Sequence, residues 1–90
     1  MKIELKSPFK EIWKYGYLRE SSIDNRKRVD LFNSNTDRTT ISYARYLMSV
    51  ELGKVLSKDF EVDHIDRDCS NDEITNLQVI TLEEHKLKTK

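Results

Sequence analysis

Apolar and polar residues change their period several times along this chain, and each change marks an element. Phe9, Ile12 and Trp13 stand at i, i+3 and i+4 after Ser7-Pro8, a helix-opening pair, which predicts a short helix within residues 1–14. Tyr15-Gly16-Tyr17-Leu18-Arg19 and Arg28-Val29-Asp30-Leu31-Phe32 flank a polar stretch from Glu20 to Lys27 that contains Asp24-Asn25. Val29 and Leu31 alternate with Arg28 and Asp30, as on a half-buried strand, so the two runs read as a β-hairpin. Asn33-Ser34-Asn35-Thr36-Asp37 reads as a loop, because each side chain competes for nearby backbone groups. Thr39 or Thr40 then caps a helix over residues 40–52, where Ile41, Ala44, Leu47, Met48 and Leu52 recur at helical spacing and Gly53 supplies the stop. Its apolar stripe, like the aromatic rings of Trp13, Tyr15, Tyr17, Tyr43 and Tyr46, reads as core rather than as a binding surface.

The last third follows a different plan. Residues 60–65 have strand composition, residues 66–72 form a loop rich in Asp and Asn, and Leu77-Gln78-Val79-Ile80 reads as a second strand. Thr81-Leu82-Glu83-Glu84 is a capping-box pattern that opens a final helix, with His85 in its first turn. The expected fold is a small α+β domain: an N-terminal helix, a β-hairpin, a middle helix and a C-terminal strand–loop–strand–helix unit.

Composition bounds the function. Ninety residues make one domain, and with 37% hydrophobic and 36% charged residues its core is small. A bound metal ion or a second copy in a homodimer could supply part of the stability. No apolar run approaches the roughly 20 residues of a membrane span. Met1-Lys2-Ile3-Glu4-Leu5-Lys6 lacks the apolar stretch of a secretory signal. The single cysteine, Cys69, excludes an intramolecular disulfide framework and a multi-cysteine zinc site, so a reducing cytoplasm is the expected compartment.

The net charge of zero conceals an asymmetry. Residues 1–58 carry 12 Lys/Arg against 7 Asp/Glu, and residues 59–90 carry 4 against 9. A basic part that attracts a polyanion and an acidic part that holds a cation would give this distribution, and so would ordinary solvated surface. Both histidines, His64 and His85, lie in the acidic part with Asp63, Asp66, Asp68, Asn71, Asp72 and Asn76. A carboxylate and an imidazole form a partial ligand set for Mg²⁺, Mn²⁺ or Zn²⁺, with positions left open for water and phosphate oxygens. The other histidine is then free to serve as a general base. One geometric obstacle stands: neighbours on a regular strand face opposite ways, so Asp63 and His64 share a site only if the strand ends or twists at His64, or if they approach a phosphate from different sides.

Val62-Asp63-His64-Ile65-Asp66-Arg67-Asp68, Asn71-Asp72, Asn76-Leu77-Gln78-Val79-Ile80-Thr81 and Glu84-His85 resemble the HNH endonuclease family, closest to its small homing-type and phage-type members. The resemblance extends over residues 40–85 and includes Tyr43-Ala44-Arg45-Tyr46-Leu47-Met48 and Leu52-Gly53-Lys54 ahead of the motif. It implies a ββα-metal (His-Me finger) unit at 59–90 within a single nuclease domain. It further implies a metal-dependent DNA endonuclease making one nick per active site, with double-strand cutting requiring a dimer. By this resemblance Asp63 and His85 hold one divalent ion, Mg²⁺ or Mn²⁺ before Zn²⁺. His64 activates the attacking water, and Asn76 braces the loop. Asp66, Asp68 and Asn71 read as loop formers. Many relatives have glycine where this chain has Arg67. The basic part, residues 1–58, is the expected DNA-contacting region. Arg26, Lys27, Arg28, Arg38, Arg45 and Arg67 are the candidates for phosphate contacts, and Arg19 and Lys54 can flank the cleft. The rival readings are a non-catalytic DNA-binding module and an interaction or inhibitor protein on the same fold.

Overall fold

In the computed structural model, which describes residues 1–23, 26–68 and 70–81, the expected hairpin is the centre of a larger sheet. Strands β1 (Lys2–Ile3), β2 (Tyr15–Glu20), β3 (Lys27–Phe32) and β4 (Arg38–Ser42) lie antiparallel in that order. Helix α1 (Tyr43–Leu52) packs on this sheet. Strands β5 (Phe60–His64) and β6 (Leu77–Thr81) form a separate two-stranded ribbon against the same helix. The protein is thus α+β, with one α-helix among the described residues. The final helix expected after Thr81, and His85 on it, lie outside the described residues, as does the Asp24-Asn25 tip of the hairpin.

The alternation in β3 does what its pattern requires. Val29 and Leu31 are fully buried beneath α1 with Leu5, Phe9 and Tyr46. Arg28, Asp30 and Phe32 turn to the opposite face, where Tyr15 stacks on Phe32 with ring centroids 5.1 Å apart. Tyr15 and Tyr17 belong to this outer face, whereas Trp13, Tyr43 and Tyr46 are part of the core, so the aromatic set divides by face. Gly16 is where the chain passes closest: a Cβ there would meet Leu5 Cδ2 at 2.8 Å and the carbonyl oxygen of Asp30 at 3.1 Å.

Helix α1 has two apolar sides because it is covered twice. Tyr46 faces the sheet, Ala44 and Met48 face the ribbon with Leu56 and Leu77, and Leu47 packs against both clusters. Ser42 caps its start by accepting from the backbone N–H of Arg45 at 3.1 Å. Gly53, at φ 74°, ends it in the left-handed conformation, and the N–H groups of Gly53 and Lys54 both reach the carbonyl of Ser49.

Two expectations are corrected. There is no N-terminal α-helix: residues 1–14 form β1 and a three-residue 3-10 turn, Phe9–Glu11. Phe9 is buried but Ile12 is 52% exposed, so the i, i+3, i+4 set never shares one face. The turn stops where Lys14 N–H bonds the carbonyl of Phe32 and starts the sheet. Residues 38–42 are a strand rather than the first turn of the helix. Thr39, Thr40 and Ile41 are β-branched and pair with Leu31, Asp30 and Val29, which moves the helix cap from Thr39 or Thr40 to Ser42.

Candidate active site

The ribbon and its loop assemble the polar residues of the last third. In the β5–β6 register, Val62 opposes Val79, Asp63 opposes Gln78 and His64 opposes Leu77. Val62, Val79 and Leu77 pack toward α1. Strand alternation therefore sends His64 to their face and Asp63 to the other. Strand β5 ends at His64, and the two neighbours take different partners. Asp63 accepts from Gln78 Nε2 at 3.1 Å, and Nε2 of His64 lies 2.8 Å from Oδ1 of Asp72.

The loop between the strands is built from Asx contacts. The backbone N–H of Arg67 bonds the carbonyl of His64 at 3.0 Å, closing a turn in which Arg67 takes φ 64°. This is the left-handed region that glycine enters without cost, which explains the glycine of the resemblance; here an arginine occupies it. Asp66 accepts from the backbone N–H of Asp68 at 2.8 Å and from the side-chain amide of Asn71 at 2.9 Å. Asn76 closes the loop. Its Oδ1 accepts from Asp66 N–H at 3.1 Å, and its Nδ2 donates to Asp66 Oδ1 and to the Asn71 carbonyl, both at 2.9 Å. Its own carbonyl accepts from Ile65 N–H at 2.8 Å.

These bonds set the electrostatics of the loop. The Asn71 amide, then the Asp68 N–H and the Asn76 amide, hold the Asp66 carboxyl below its ordinary value. The hydroxyl and backbone N–H of Ser70 do the same for Asp68. Both carboxylates are occupied in shaping the loop. Among the described residues no group of three or more His, Cys, Asp or Glu could hold a metal ion. The described part of the implied ligand set is Asp63, a hard oxygen donor of the type divalent cations take, and its implied partner His85 lies outside the described residues.

The six basic candidates scatter. Arg28 and Arg38 lie on the outer face of the sheet, cross-strand from Ser42 and Phe32, while alternation turns Lys27 to the inner face. Lys27 and Arg28 therefore lie on opposite faces of the sheet. Arg19, also on the outer face, pairs with Asp30. Burial pushes the Asp30 carboxyl up, but hydrogen bonds from Thr40 and Arg19, with the charges of Arg19 and Arg38, bring it below its ordinary value. Arg45 is committed elsewhere: its guanidinium donates to the carbonyls of Leu56, Ser57 and Phe60, clasping α1 to the approach of β5. Arg67 is exposed on the turn that follows His64.

Asp72 is the residue that sequence reasoning left without a role. Its side chain is 7% exposed against 15% for His64, and its Oδ2 is buried with no hydrogen-bond partner among the described residues. Nothing in the sequence distinguishes it from Asp66 or Asp68; only the closure of the loop by Asn76 turns it toward the histidine.

Residues 48–87 match the sequence model of the HNH endonuclease family. This match bears out the resemblance to the HNH endonuclease family over residues 48–87. The HNH match includes the end of α1, the ribbon and its loop, and so covers His64, Asp72 and Asn76 together. No curated protein and no solved structure matches the chain. Among the described residues, no helix is long and apolar enough to cross a membrane.

Proposed function

We propose that this HNH protein is a metal-dependent DNA endonuclease that hydrolyses one phosphodiester bond per active site. The observation that carries the proposal is the ribbon loop in which Asn76, through three side-chain hydrogen bonds, closes the turn that follows His64. HNH endonucleases act on DNA and generally depend on a divalent metal ion.

In this reading His64 takes the proton of the attacking water. The water oxygen bonds to phosphorus, and the P–O3′ bond breaks with its electron pair on the 3′ oxygen. Asp63 and His85 would hold the divalent ion, Mg²⁺ or Mn²⁺, which when bound offsets charge on the phosphate and on the leaving oxygen. Asp63 and His64 face opposite sides of β5, so they approach the scissile phosphate from two directions. Asn76 keeps the loop closed while the reaction proceeds. Arg67, exposed beside His64, supplies a phosphate contact next to the chemistry, and Arg28 and Arg38 supply contacts from the sheet. Arg45 contributes to the fold instead.

The test is relaxation of supercoiled plasmid with Mg²⁺ or Mn²⁺ and with EDTA. The wild-type chain should nick with metal and not with EDTA. His64→Ala should lose about 10²–10⁴-fold in rate, the usual contribution of a general base, while still binding DNA. Near-wild-type cleavage by His64→Ala would remove that residue from the mechanism.

A further inference from the structure

We infer that Asp72 is a positioning residue for His64: it holds the imidazole as the Nε2–H tautomer and leaves Nδ1 as the nitrogen that receives the proton from water. The inference deepens the nuclease reading above and rests on it for the reaction being served. A carboxylate can only accept, so in the 2.8 Å contact between Asp72 Oδ1 and His64 Nε2 the proton belongs to the histidine. The lone pair of the neutral ring is then on Nδ1, and among the described residues no group bonds that nitrogen. When Nδ1 takes a proton, the ring becomes a cation with Asp72 already in contact. The carboxylate thus orients the base and stabilises its charged product.

The loop contains its own comparison. Asp66 is exposed, and both of its carboxylate oxygens are bonded: Oδ1 by Asp68 N–H and the Asn76 amide, Oδ2 by the Asn71 amide. That is how a carboxylate that only shapes the loop is used. Asp72 differs on each count. It is almost completely buried, it makes its one hydrogen bond to His64, and its Oδ2 has no partner among the described residues. Half-paired buried carboxylates cost stability, and a loop held closed by Asn76 has no need of this one. Burial also shields the Asp72–His64 bond from competing water, so the ring orientation is set by the protein.

Two measurements on the full chain test the inference. The first is single-turnover plasmid nicking, with DNA affinity measured separately in Ca²⁺. Asp72→Ala should lower the cleavage rate by about 10–100-fold, the usual loss when a partner that orients a functional histidine is removed. Affinity should stay within about twofold, since Asp72 is too buried to meet DNA. Asp72→Asn, which keeps the shape and one acceptor oxygen, should recover part of the loss. The second is ¹⁵N NMR of histidine-labelled protein at about pH 8, where an ordinary histidine is neutral. The His64 ring should be the Nε2–H tautomer in wild type and a mixture in Asp72→Ala. Cleavage by Asp72→Ala at the wild-type rate, or a wild-type ring with its proton on Nδ1, would overturn the inference. If Asp72→Ala does not fold, Asp72→Asn and the wild-type spectrum decide. If the wild-type chain cuts no DNA with any metal, the nuclease reading fails, and the NMR result still decides whether Asp72 sets the tautomer.

Discussion

Replacing Asn76 separates loop closure from every other contribution of the ribbon. Its side chain makes three hydrogen bonds: acceptance from Asp66 N–H, and donation to Asp66 Oδ1 and to the Asn71 carbonyl. Each is worth about 1 kcal/mol net, but the two to Asp66 are exposed, so water repays part of their loss. Asn76→Ala should therefore destabilise the chain by about 2 kcal/mol. Asn76→Asp is the sharper variant. It keeps an oxygen for Asp66 N–H, replaces the donor with a second oxygen, and places it against Asp66 Oδ1 where 2.9 Å now separates a donor from an acceptor. Two bonds are lost and a like-charge contact is added, so the cost at neutral pH should reach about 3 kcal/mol and shrink as acid protonates one of the two carboxyls. Urea unfolding at neutral and mildly acidic pH measures both. Amide exchange at Asp66 gives the local readout, since its N–H loses its acceptor in the alanine variant and keeps it in the aspartate variant. If Asn76→Ala unfolds within about 0.5 kcal/mol of wild type, the scale of an ordinary surface change, Asn76 does not close the loop. An Asn76→Asp variant as stable as wild type at neutral pH would refute the bond directions assigned to its amide.

Three further outcomes follow from the same geometry. Arg45→Ala should destabilise the fold by about 2–3 kcal/mol, because three backbone carbonyls lose a charged donor, and should leave the salt dependence of DNA binding unchanged; a flatter salt slope at unchanged stability would return Arg45 to the DNA surface. Arg67→Gly should stabilise the chain by about 1 kcal/mol by relieving a left-handed backbone at φ 64°, and reduce the DNA-binding salt slope by about one unit; calorimetric melting and fluorescence anisotropy at several salt concentrations read the two effects separately. Asp30, Asp66 and Asp68 all have folded-state values below the ordinary 3.8, so the unfolded chain binds protons first. Their contribution is present above about pH 5 and is lost as pH falls below 3.8 and through the lower folded-state values; replacing Asp66 by Asn should flatten the acid limb of a denaturation profile followed by circular dichroism.

Local chemistry was enough for those parts of the protein whose determinants lie close together in the chain. The β2–β3 hairpin follows from period-two alternation at Val29 and Leu31, the end of α1 from Gly53, and the loop between β5 and β6 from a run of Asp and Asn that bond their own backbone. The roles of His64 and Asn76 came instead from the resemblance to the HNH family, since local chemistry by itself left them as polar residues at strand ends. Tertiary structure decided the rest. Thr39, Thr40 and Ile41 suit a helix entry or an edge strand, and the free edge of β3 made them a strand. Phe9, Ile12 and Trp13 have helical spacing, but pairing of Lys2–Ile3 with β2 and burial of Phe9 under Tyr46 left room for only a 3-10 turn. Arg45 became a clasp because three carbonyls from residues 56–60 converge on it, and Asp72 met His64 because Asn76 folds the loop back across eight residues. A hydrogen bond between groups distant in sequence depends on where the whole backbone brings them, and the residue types alone do not contain that distance.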